Sequence, residues 1–213
     1  MSDKPADLTT NRLMHAACKR DFVRVRSCLK ELKEGDRGRA RSAAARWQFV
    51  SCQLRTHQAA EDKYMWPLVR QRSRKPEELV VINAMVAEHN VLAEPIASLD
   101  DEFAALAVGR IADVDAILAR LDDLVVAFSG HAAHEERDAT KILRKYLTEK
   151  DLREYRKFSS AHECGRLLLP WMSDGASPAD QAAVWRAVPF FARWFVRPIR
   201  TRRYRALSRS FAA

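Results

Sequence analysis

The chain has 213 residues, 47% of them hydrophobic and 31% charged, which is enough to bury the core of one domain. It has no apolar signal region at its N-terminus and no run of eighteen apolar residues, so we expect neither secretion nor a membrane-spanning helix. Its four cysteines form no CxxC motif and no close pair in sequence, which argues against a zinc finger or a disulfide framework. We therefore predict a soluble cytoplasmic protein with reduced thiols.

The net charge of +9 is concentrated near the C-terminus. No acidic residue follows Asp180, whereas eight arginines do: Arg186, Arg193, Arg197, Arg200, Arg202, Arg203, Arg205 and Arg209. The rest of the chain is close to neutral, so the basic character belongs to the tail and not to the body.

Only six glycines and few strand-like runs predict an all-α fold. We predict four long helices in the body: one from about Leu8 to the break at Gly35 and Gly38, one from about Arg39 to Arg72, one opened by Pro76, and one that follows Gly109 and reaches Tyr146. Thr9, Thr10 and Asn11 form a capping region for the first helix. Short connections make neighbouring helices antiparallel, so we predict an up-down-up-down four-helix bundle over residues 1–147 and a C-terminal helical extension over 148–213.

Two His-x-x-x-Glu motifs lie in the middle of the second and fourth predicted helices. Together with the lone histidine that precedes each motif, the set is His15, His57, Glu61, His89, His131 and Glu135. Each lone histidine precedes the histidine of its motif by 42 residues. Since positions four apart share one face of a helix, each motif can direct two ligands at one atom. The two halves of the body therefore carry one pattern.

All six side chains fall on the apolar stripes of their helices, so in an antiparallel bundle they meet at one level inside the core. Burying a carboxylate without a partner costs on the order of several kcal/mol, which favours a cation between them. Nitrogen and oxygen ligands without cysteine indicate iron or manganese, with zinc as an alternative. Two carboxylates can bridge a pair of metals while two histidines complete each one, and an open position remains for chemistry.

This order of ligands resembles that of the hemerythrin family, in its cation-binding form named for the His-His-Glu motif, over about residues 8–147. The resemblance implies that His15, His57, Glu61, His89, His131 and Glu135 bind a non-heme di-iron centre. It also implies that Glu61 and Glu135 bridge the two Fe ions, with an oxo or hydroxo group as a further bridge, and that manganese or zinc is less favoured. It implies no catalytic residue beyond these ligands.

Two departures separate the chain from the oxygen-carrying hemerythrins of animals. Those proteins have a second histidine four residues after the one on the third helix, where this chain has Ala93. Their last helix uses an aspartate five residues after its histidine, where this chain has Glu135 at four. The chain is more similar to the symmetric group with four histidines and two glutamates. That group includes the iron-responsive domain of an F-box ubiquitin ligase subunit and actinobacterial proteins linked to peroxide, nitric oxide and iron handling.

The resemblance implies a protein that binds or reacts with dioxygen, peroxide or nitric oxide. The ligands do not decide whether it is an enzyme, and catalase-like decomposition of peroxide is the activity to consider. The alternatives are a non-catalytic iron or oxygen sensor and a metal-free helical adaptor, in which a partner reads the C-terminal arm.

Other polar residues near the motifs have a functional and a structural interpretation. Tyr64 lies one turn beyond the first motif, where it would hydrogen-bond a ligand or pack as an ordinary core tyrosine. His134 lies one turn beyond the histidine of the second motif, where it would support a ligand or sit on the rim. Glu88 and Glu94 flank the second lone histidine, and we expect them on a solvated face. We interpret the cysteines as small buried hydrophobic residues and His162 as structural.

The extension is predicted to contain a capped helix that ends near Gly165, a turn-rich linker over 167–178 and a helix that begins at Ser177. Aromatic residues interleaved with arginines over 185–209 fit the interface of an anionic membrane, which would make the protein membrane-peripheral. The alternative is that the aromatic residues pack as a lid over one end of the bundle while the arginines are solvated. Nucleic acid is less favoured because no binding motif accompanies the charge, and the oligomeric state stays open.

Overall fold

The computed structural model describes residues 4–110, 113–186 and 188–211. Residues 1–3 of the predicted bundle domain, 111–112 before its fourth helix, 187 in the basic arm and 212–213 at the end lie outside the described residues. The body contains α1 (Thr9–Lys30), α2 (Arg37–Tyr64), α3 (Trp66–Arg72), α4 (Pro76–Ala107), α5 (Val114–His134), a π-helical turn (Glu135–Ala139) and α6 (Thr140–Tyr146). The extension contains α7 (Leu152–Ala161), a 3-10 turn (Glu163–Leu167), α8 (Leu168–Ser173), α9 (Pro178–Trp185) and α10 (Phe190–Ser210).

The four long helices of the body pack as a bundle in which α1 contacts α2 and α5, and α4 contacts α2 and α5. The predicted all-α four-helix bundle is therefore confirmed. Within the described residues, α4 is the one helix long and apolar enough to cross a membrane by length and composition. That is weak support for a membrane span, since a core helix of a soluble protein meets the same test. In the bundle the buried face of α4 runs from Ile82 to Leu106.

The connections at one end of the bundle are short and capped. Gly35 turns the chain between α1 and α2 with a φ of 80°, a conformation that L side chains rarely adopt. Asp36 then caps α2, because its side chain accepts a hydrogen bond from the backbone N–H of Arg39 at 3.0 Å. Asp113 caps α5 in the same way. These short connections keep consecutive long helices adjacent in the bundle.

The apolar core of the body is split into two clusters by a polar layer. One cluster includes Trp47 and Leu54 on α2, Leu92 and Phe103 on α4, and Phe128 on α5. The other contains Met65, Trp66, Ile82, Met85 and Leu143 at the opposite end. On α4, His89 lies four residues after Met85 and three residues before Leu92, so the histidine lies between the clusters. The layer is thus bounded by apolar residues toward both ends of the bundle.

Two of the predicted helices are interrupted. The predicted helix from Arg39 to Arg72 ends at Tyr64, and α3 begins at Trp66 with Pro67 in its first turn. Proline lacks an N–H and clashes with the preceding turn, so a continuous helix is unfavourable there. The predicted fourth helix contains the π-helical turn that begins at Glu135, a type of irregularity that is frequent at functional sites.

The extension packs against the body instead of trailing from it. α7 and the 3-10 turn contact α2, while α8 and α9 contact α1. The indole N–H of Trp171 donates to Oδ2 of Asp21 on α1 at 2.6 Å, and both residues are buried. The prediction of a turn-rich linker is therefore wrong for Leu168–Ser173, because burial of Pro170, Trp171 and Met172 stabilises a short helix there.

The aromatic residues of the basic arm have two different environments. Trp185 is buried, whereas Phe190, Phe191, Trp194 and Phe195 on α10 are 73–77% exposed. The alternative of an aromatic lid packed on the bundle is thus wrong for these four side chains. They sit at positions i, i+1, i+4 and i+5, so they form one exposed face of α10.

Candidate metal centre

Four helices and the π-helical turn that follows α5 position the six predicted ligands. His15 lies on α1, His57 and Glu61 on α2, His89 on α4, His131 on α5, and Glu135 at the first position of the π-helical turn. All six residues are at most 4% exposed. The structure therefore brings together every side chain that the sequence pattern selects, at one depth between the two apolar clusters.

The four imidazoles face one another in two pairs through Nε2. The Nε2 atoms of His15 and His57 are 3.2 Å apart, and those of His89 and His131 are also 3.2 Å apart. Each pair joins the lone histidine of one half to the motif histidine of the same half. Nitrogen atoms directed at a common point are the arrangement that metal ligation requires.

The two glutamates lie between the pairs. For Glu61, Oε1 is 3.5 Å from Nε2 of His57 and Oε2 is 3.5 Å from Nε2 of His89. For Glu135, Oε2 is 3.2 Å from Nε2 of His15 and 3.7 Å from Nε2 of His131. Each carboxylate thus touches both pairs, which is the position of a bridging ligand. His15, His57 and Glu135 in particular present three ligand atoms within 4.8 Å of one another.

Three carboxylate oxygens in this layer are buried without a hydrogen-bond partner: Oε1 and Oε2 of Glu61 and Oε2 of Glu135. These are the oxygens that face the histidine nitrogens. Only Oε1 of Glu135 has a donor, the side-chain amide of Asn11 at 2.6 Å. Asn11 was predicted to cap α1, but the backbone N–H of Thr9 bonds to Asp7 instead. Orphaned buried oxygens of this kind fit a site for a cation.

The Nδ1 atoms of the two lone histidines are held by the acidic residues that directly follow the motifs. Nδ1 of His89 lies 2.9 Å from Oδ1 of Asp62, and Nδ1 of His15 lies 2.9 Å from Oε1 of Glu136. A carboxylate only accepts, so in the neutral imidazole the proton is on Nδ1 and the Nε2 lone pair faces the centre. The acid after each motif glutamate was a signal in the sequence that our interpretation missed.

The Nδ1 atoms of the two motif histidines have unlike partners. Nδ1 of His131 lies 2.8 Å from Oε2 of Glu88, and the other oxygen of Glu88 lies 2.6 Å from Nδ1 of His134. Nδ1 of His57 lies 3.0 Å from the phenol oxygen of Tyr155 on α7. Glu88 was expected on a solvated face and instead holds a ligand, with His134 beside it. No local pattern in the sequence indicates Tyr155, which lies 98 residues after its partner.

Among the described residues, Tyr64 contacts side chains outside the ligand layer. Its ring packs against Phe158 at 5.6 Å between centroids, and the ammonium of Lys63 lies 5.3 Å from the Tyr64 ring. Its half-exposed ring thus belongs to the contact between α2 and α7, so the structure favours the packing interpretation of Tyr64.

Burial and the charges of neighbouring ligands shift the pKa values of four groups in the layer. Burial opposes a charge on His15, but the Glu135 carboxylate outweighs it and raises the pKa of His15 to about 9. The same ion pair overcomes burial at Glu135 and holds its pKa well below the usual range. Burial and the charge of Glu135 raise the pKa of Glu61 well above its usual range. Burial and the charge of His15 lower the pKa of His57. One ion pair is therefore favoured, and the other two groups are neutral.

A cavity of about 440 Å³ reaches one side of the layer. It lies between the bundle and the extension, and its wall includes Met14, Thr56, His57, Tyr155 and Leu168. His57 and its phenol partner are the members of the ligand network that line it. A small molecule in this cavity would therefore approach the pair of His15 and His57 before the other pair.

The body of the chain matches a known protein family. The model of the hemerythrin HHE cation-binding domain matches residues 8–143, which is more than half of the chain and contains all six buried side chains. This chain belongs to the hemerythrin HHE family. No curated protein and no solved structure matches it. The hemerythrin-like body is thus a cation-binding domain, and its histidine and glutamate cluster is the part of the described chain that fits this role.

The HHE match ends at residue 143, before the extension begins. Tyr155 therefore lies outside the matched segment but contacts a histidine inside it. Of the four imidazoles in the layer, His57 is the one whose Nδ1 depends on a residue beyond the family domain. The extension is consequently part of the environment of the centre.

Proposed function

We propose that this hemerythrin-like protein holds a non-heme di-iron centre and uses it to bind or react with dioxygen, peroxide or nitric oxide. The observation that carries the proposal is the set of unpartnered carboxylate oxygens of Glu61 and Glu135. Each of the two carboxylates lies within 3.7 Å of imidazole nitrogens from both histidine pairs. Imidazole and carboxylate ligands without thiolate suit iron. Two bound irons would supply redox chemistry toward a small oxygen- or nitrogen-containing ligand.

The chain's own residues have defined tasks in this proposal. His15 and His57 would hold one metal, His89 and His131 would hold the other, and the two glutamates lie between the pairs. Asp62, Glu88 and Glu136 accept the Nδ1 protons of three imidazoles and so fix their orientation. The apolar clusters enclose the centre toward both ends of the bundle, and the cavity beside His57 gives a small ligand a route to it.

Metal analysis and an ultraviolet-visible spectrum of the purified full-length chain test the centre. We expect two irons per chain and the charge-transfer bands of an oxo-bridged pair, both of which disappear in a Glu61→Ala, Glu135→Ala variant. A matched control is Glu94→Ala, which removes a carboxylate from α4 outside the layer. Purified protein without metal would contradict the proposal and support a metal-free helical adaptor, and protein with one iron only would contradict the di-iron centre.

Peroxide turnover then tests whether the centre is catalytic. If it decomposes peroxide, the iron-loaded wild type evolves dioxygen and the double glutamate variant does not. If the protein is an iron or oxygen sensor, turnover is absent in both and iron protects the bundle from proteolysis instead. The two outcomes decide between an enzyme and a sensor on the same preparation.

We also propose that α10 docks on an anionic membrane surface. Four exposed aromatic side chains share one face of this helix, and α10 contains arginines but no acidic residue. Aromatic rings suit the headgroup region of a bilayer, while arginines pair with anionic headgroups. Such an arrangement favours a negatively charged bilayer over a neutral one.

Co-sedimentation with vesicles tests the docking. We expect binding to vesicles that contain phosphatidylglycerol, little binding to pure phosphatidylcholine, and loss of binding in Phe191→Ser, Phe195→Ser. The matched control is Val80→Ser, Val91→Ser, which changes two exposed apolar residues on α4. Absence of binding to anionic vesicles, or self-association of the chain through α10, would contradict this second proposal.

A further inference from the structure

A second cluster of metal-ligating side chains lies away from the histidine and glutamate layer. It consists of Cys52 on α2, His162 after α7, and Cys164 in the 3-10 turn, and their ligand atoms all lie within 4.8 Å of one another. Nδ1 of His162 is 3.9 Å from Sγ of Cys52 and 3.8 Å from Sγ of Cys164. The two cysteines are 112 residues apart in sequence, which is why the cysteine pattern gave no indication of a pair.

We propose that Cys52, His162 and Cys164 form a zinc site that joins the extension to the bundle. Zn²⁺ binds thiolate at about 2.3 Å and imidazole at about 2.0–2.1 Å, so sulfur and nitrogen ligands of tetrahedral zinc are about 3.6 Å apart. The two observed separations of 3.9 and 3.8 Å need only a small contraction to reach this value. The fourth position opens toward solvent, since His162 is exposed.

The imidazole distinguishes a metal site from a pair of cysteines that forms a disulfide. A disulfide needs two sulfurs and no third group, whereas here one nitrogen is almost equidistant from both sulfurs. Two thiols and one imidazole are soft or borderline ligands that select zinc over the harder cations. The His162 ring is also packed against Phe158, at 6.5 Å between centroids, so it is oriented toward the cluster.

The backbone around Cys164 is built to hold this position. Its carbonyl accepts a hydrogen bond from the buried amide of Gln53 at 2.8 Å, and its sulfur lies 3.5 Å from the hydroxyl of Thr56. A Cβ on Gly165 would lie 2.1 Å from the carbonyl oxygen of Ser159, so only glycine allows the chain to fold back this closely on α7. Cys164 is thereby fixed against the turn of α2 that carries Cys52.

The protonation of the thiols agrees with the geometry. Hydrogen bonds from the Cys164 thiol and from His162 outweigh the opposing effect of burial and lower the pKa of Cys52 to about 6. These contacts favour the thiolate form of Cys52, which is the form that binds a metal. Cys164 keeps its proton until a cation displaces it, because its hydrogen bond to Cys52 and its burial raise its pKa.

Cobalt substitution tests the site without interference from the other centre. The reduced full-length chain is titrated with Co²⁺, whose bonds to thiolate give a near-ultraviolet charge-transfer band that histidine and carboxylate ligands do not give. We expect one such chromophore per chain, abolished by Zn²⁺ and by Cys52→Ser, Cys164→Ser. It should persist in Cys18→Ser, Cys28→Ser and in Glu61→Ala, Glu135→Ala. A band that survives the Cys52 and Cys164 changes, or no band in the wild type, overturns the proposal.

A second measurement uses the unaltered chain, so it does not depend on the folding of a variant. Alkylation of the reduced protein is mapped by mass spectrometry with and without Zn²⁺, and we expect protection of Cys52 and Cys164.

His162→Ala should weaken Zn²⁺ binding by roughly tenfold or more, since one of three ligands is lost. Unchanged affinity in His162→Ala overturns the three-ligand site. Alkylation unaffected by Zn²⁺, with a Cys52–Cys164 disulfide formed in air, overturns zinc binding itself.

Discussion

The two halves of the histidine and glutamate layer are nearly equivalent in sequence but differ in how their imidazoles are held. In both halves the lone histidine is bonded to the acid that follows the glutamate of the other half, Glu136 for His15 and Asp62 for His89. In both, the Nε2 atoms of a pair are 3.2 Å apart. The repeated spacing of the ligands thus produces a repeated geometry of the ligand atoms.

The difference lies one residue before each lone histidine. Glu88 precedes His89 and holds His131, whereas the corresponding residue before His15 is Met14, which cannot accept a proton from an imidazole. In that half Tyr155 enters from the extension and pairs with the motif histidine instead. Met14 and Tyr155 also line the cavity.

We expect the two histidine pairs to bind metal with different strength, although their ligands are of similar composition. A carboxylate partner makes an imidazole more basic than a neutral phenol does, so the pair of His89 and His131 should bind its metal more tightly. In the pair of His15 and His57, the motif histidine is bonded to a neutral phenol instead of a carboxylate. His57 also lines the cavity. We expect the metal held by this pair to be the one that exchanges and meets a ligand first.

Removing the negative charge of Glu61, which lies between both histidine pairs, should weaken iron binding more than the other changes below. Glu61→Gln keeps the shape of the side chain but replaces the carboxylate between the two histidine pairs by a neutral amide. We expect bound iron to fall from two per chain to one or fewer, a loss of at least about 100-fold in affinity for one metal. Quantitative metal analysis after dialysis against a weak chelator measures the change.

The metal-free form provides the control for this variant. Burial and the charge of Glu135 keep Glu61 protonated in that form, so glutamine should leave the free energy of unfolding almost unchanged. Two irons retained by Glu61→Gln would show that Glu61 does not bridge. A large loss of stability without metal would show that its role is structural.

The fold and the six clustered side chains could be predicted because both depend on local periodicity. His57 and Glu61 share a helical face by spacing alone, and the apolar stripe of each helix fixes which face is inside. The partners of Nδ1 depend on which helices become neighbours. The contact between His131 on α5 and Glu88 on α4 therefore required the packed bundle.

The pH dependence of the metal-free chain separates the two imidazoles within one pair. The pKa of His15 is raised to about 9, so its protonated form stabilises the fold fully below about pH 6.5, and this contribution of about 3 kcal/mol is lost as the pH rises toward 9. The pKa of His57 is lowered, so its neutral form contributes above its unfolded pKa, and stability is lost as the pH falls below it.

Denaturant unfolding of iron-depleted protein between pH 5 and 10 measures both effects. Glu136→Gln removes a neighbouring carboxylate of His15 and should move the alkaline loss of stability to lower pH. A control is Asp138→Asn, which changes a half-buried carboxylate within the π-helical turn that contacts His134 and not His15. Stability that rises between pH 7 and 9 would contradict the ion pair of His15 and Glu135.

Converting the second half to resemble the first tests the role of the carboxylate. Glu88→Met places at this position the residue type that precedes His15, and it removes the partner of both His131 and His134. We expect one of the two irons to bind about 10- to 100-fold more weakly, since loss of a ligand's partner typically costs this much. Competition with a coloured chelator gives the two affinities separately.

The extension was the part of the structure least accessible to sequence analysis. α8 has no long amphipathic pattern of its own and exists because Trp171 is buried and bonded to Asp21 on α1. Cys164 likewise gains its partner only when the 3-10 turn packs on α2. Contacts between segments more than a hundred residues apart leave no periodic trace, so they could not be predicted.

The smallest loss of iron affinity should come from Tyr155→Phe, which removes one hydroxyl beside His57. The phenol is a neutral partner, so its loss should weaken one iron by about tenfold or less, with Phe retaining the ring that packs between α2 and α7. The affected iron should be the more weakly bound one, and it should exchange faster with free iron. Tyr146→Phe is the matched control, because Tyr146 lies at the end of α6 outside the layer.

The double variant Glu88→Met, Tyr155→Phe tests whether the two histidine pairs hold different metals. If each partner supports a different metal, the two losses fall on different irons and add, because the sites do not share the altered hydrogen bonds. If both variants weaken the same iron, the assignment of one metal to each histidine pair is wrong. Equal losses from the two single variants would show that phenol and carboxylate support an imidazole equally well here, and the two halves would then be alike in strength as well as in spacing.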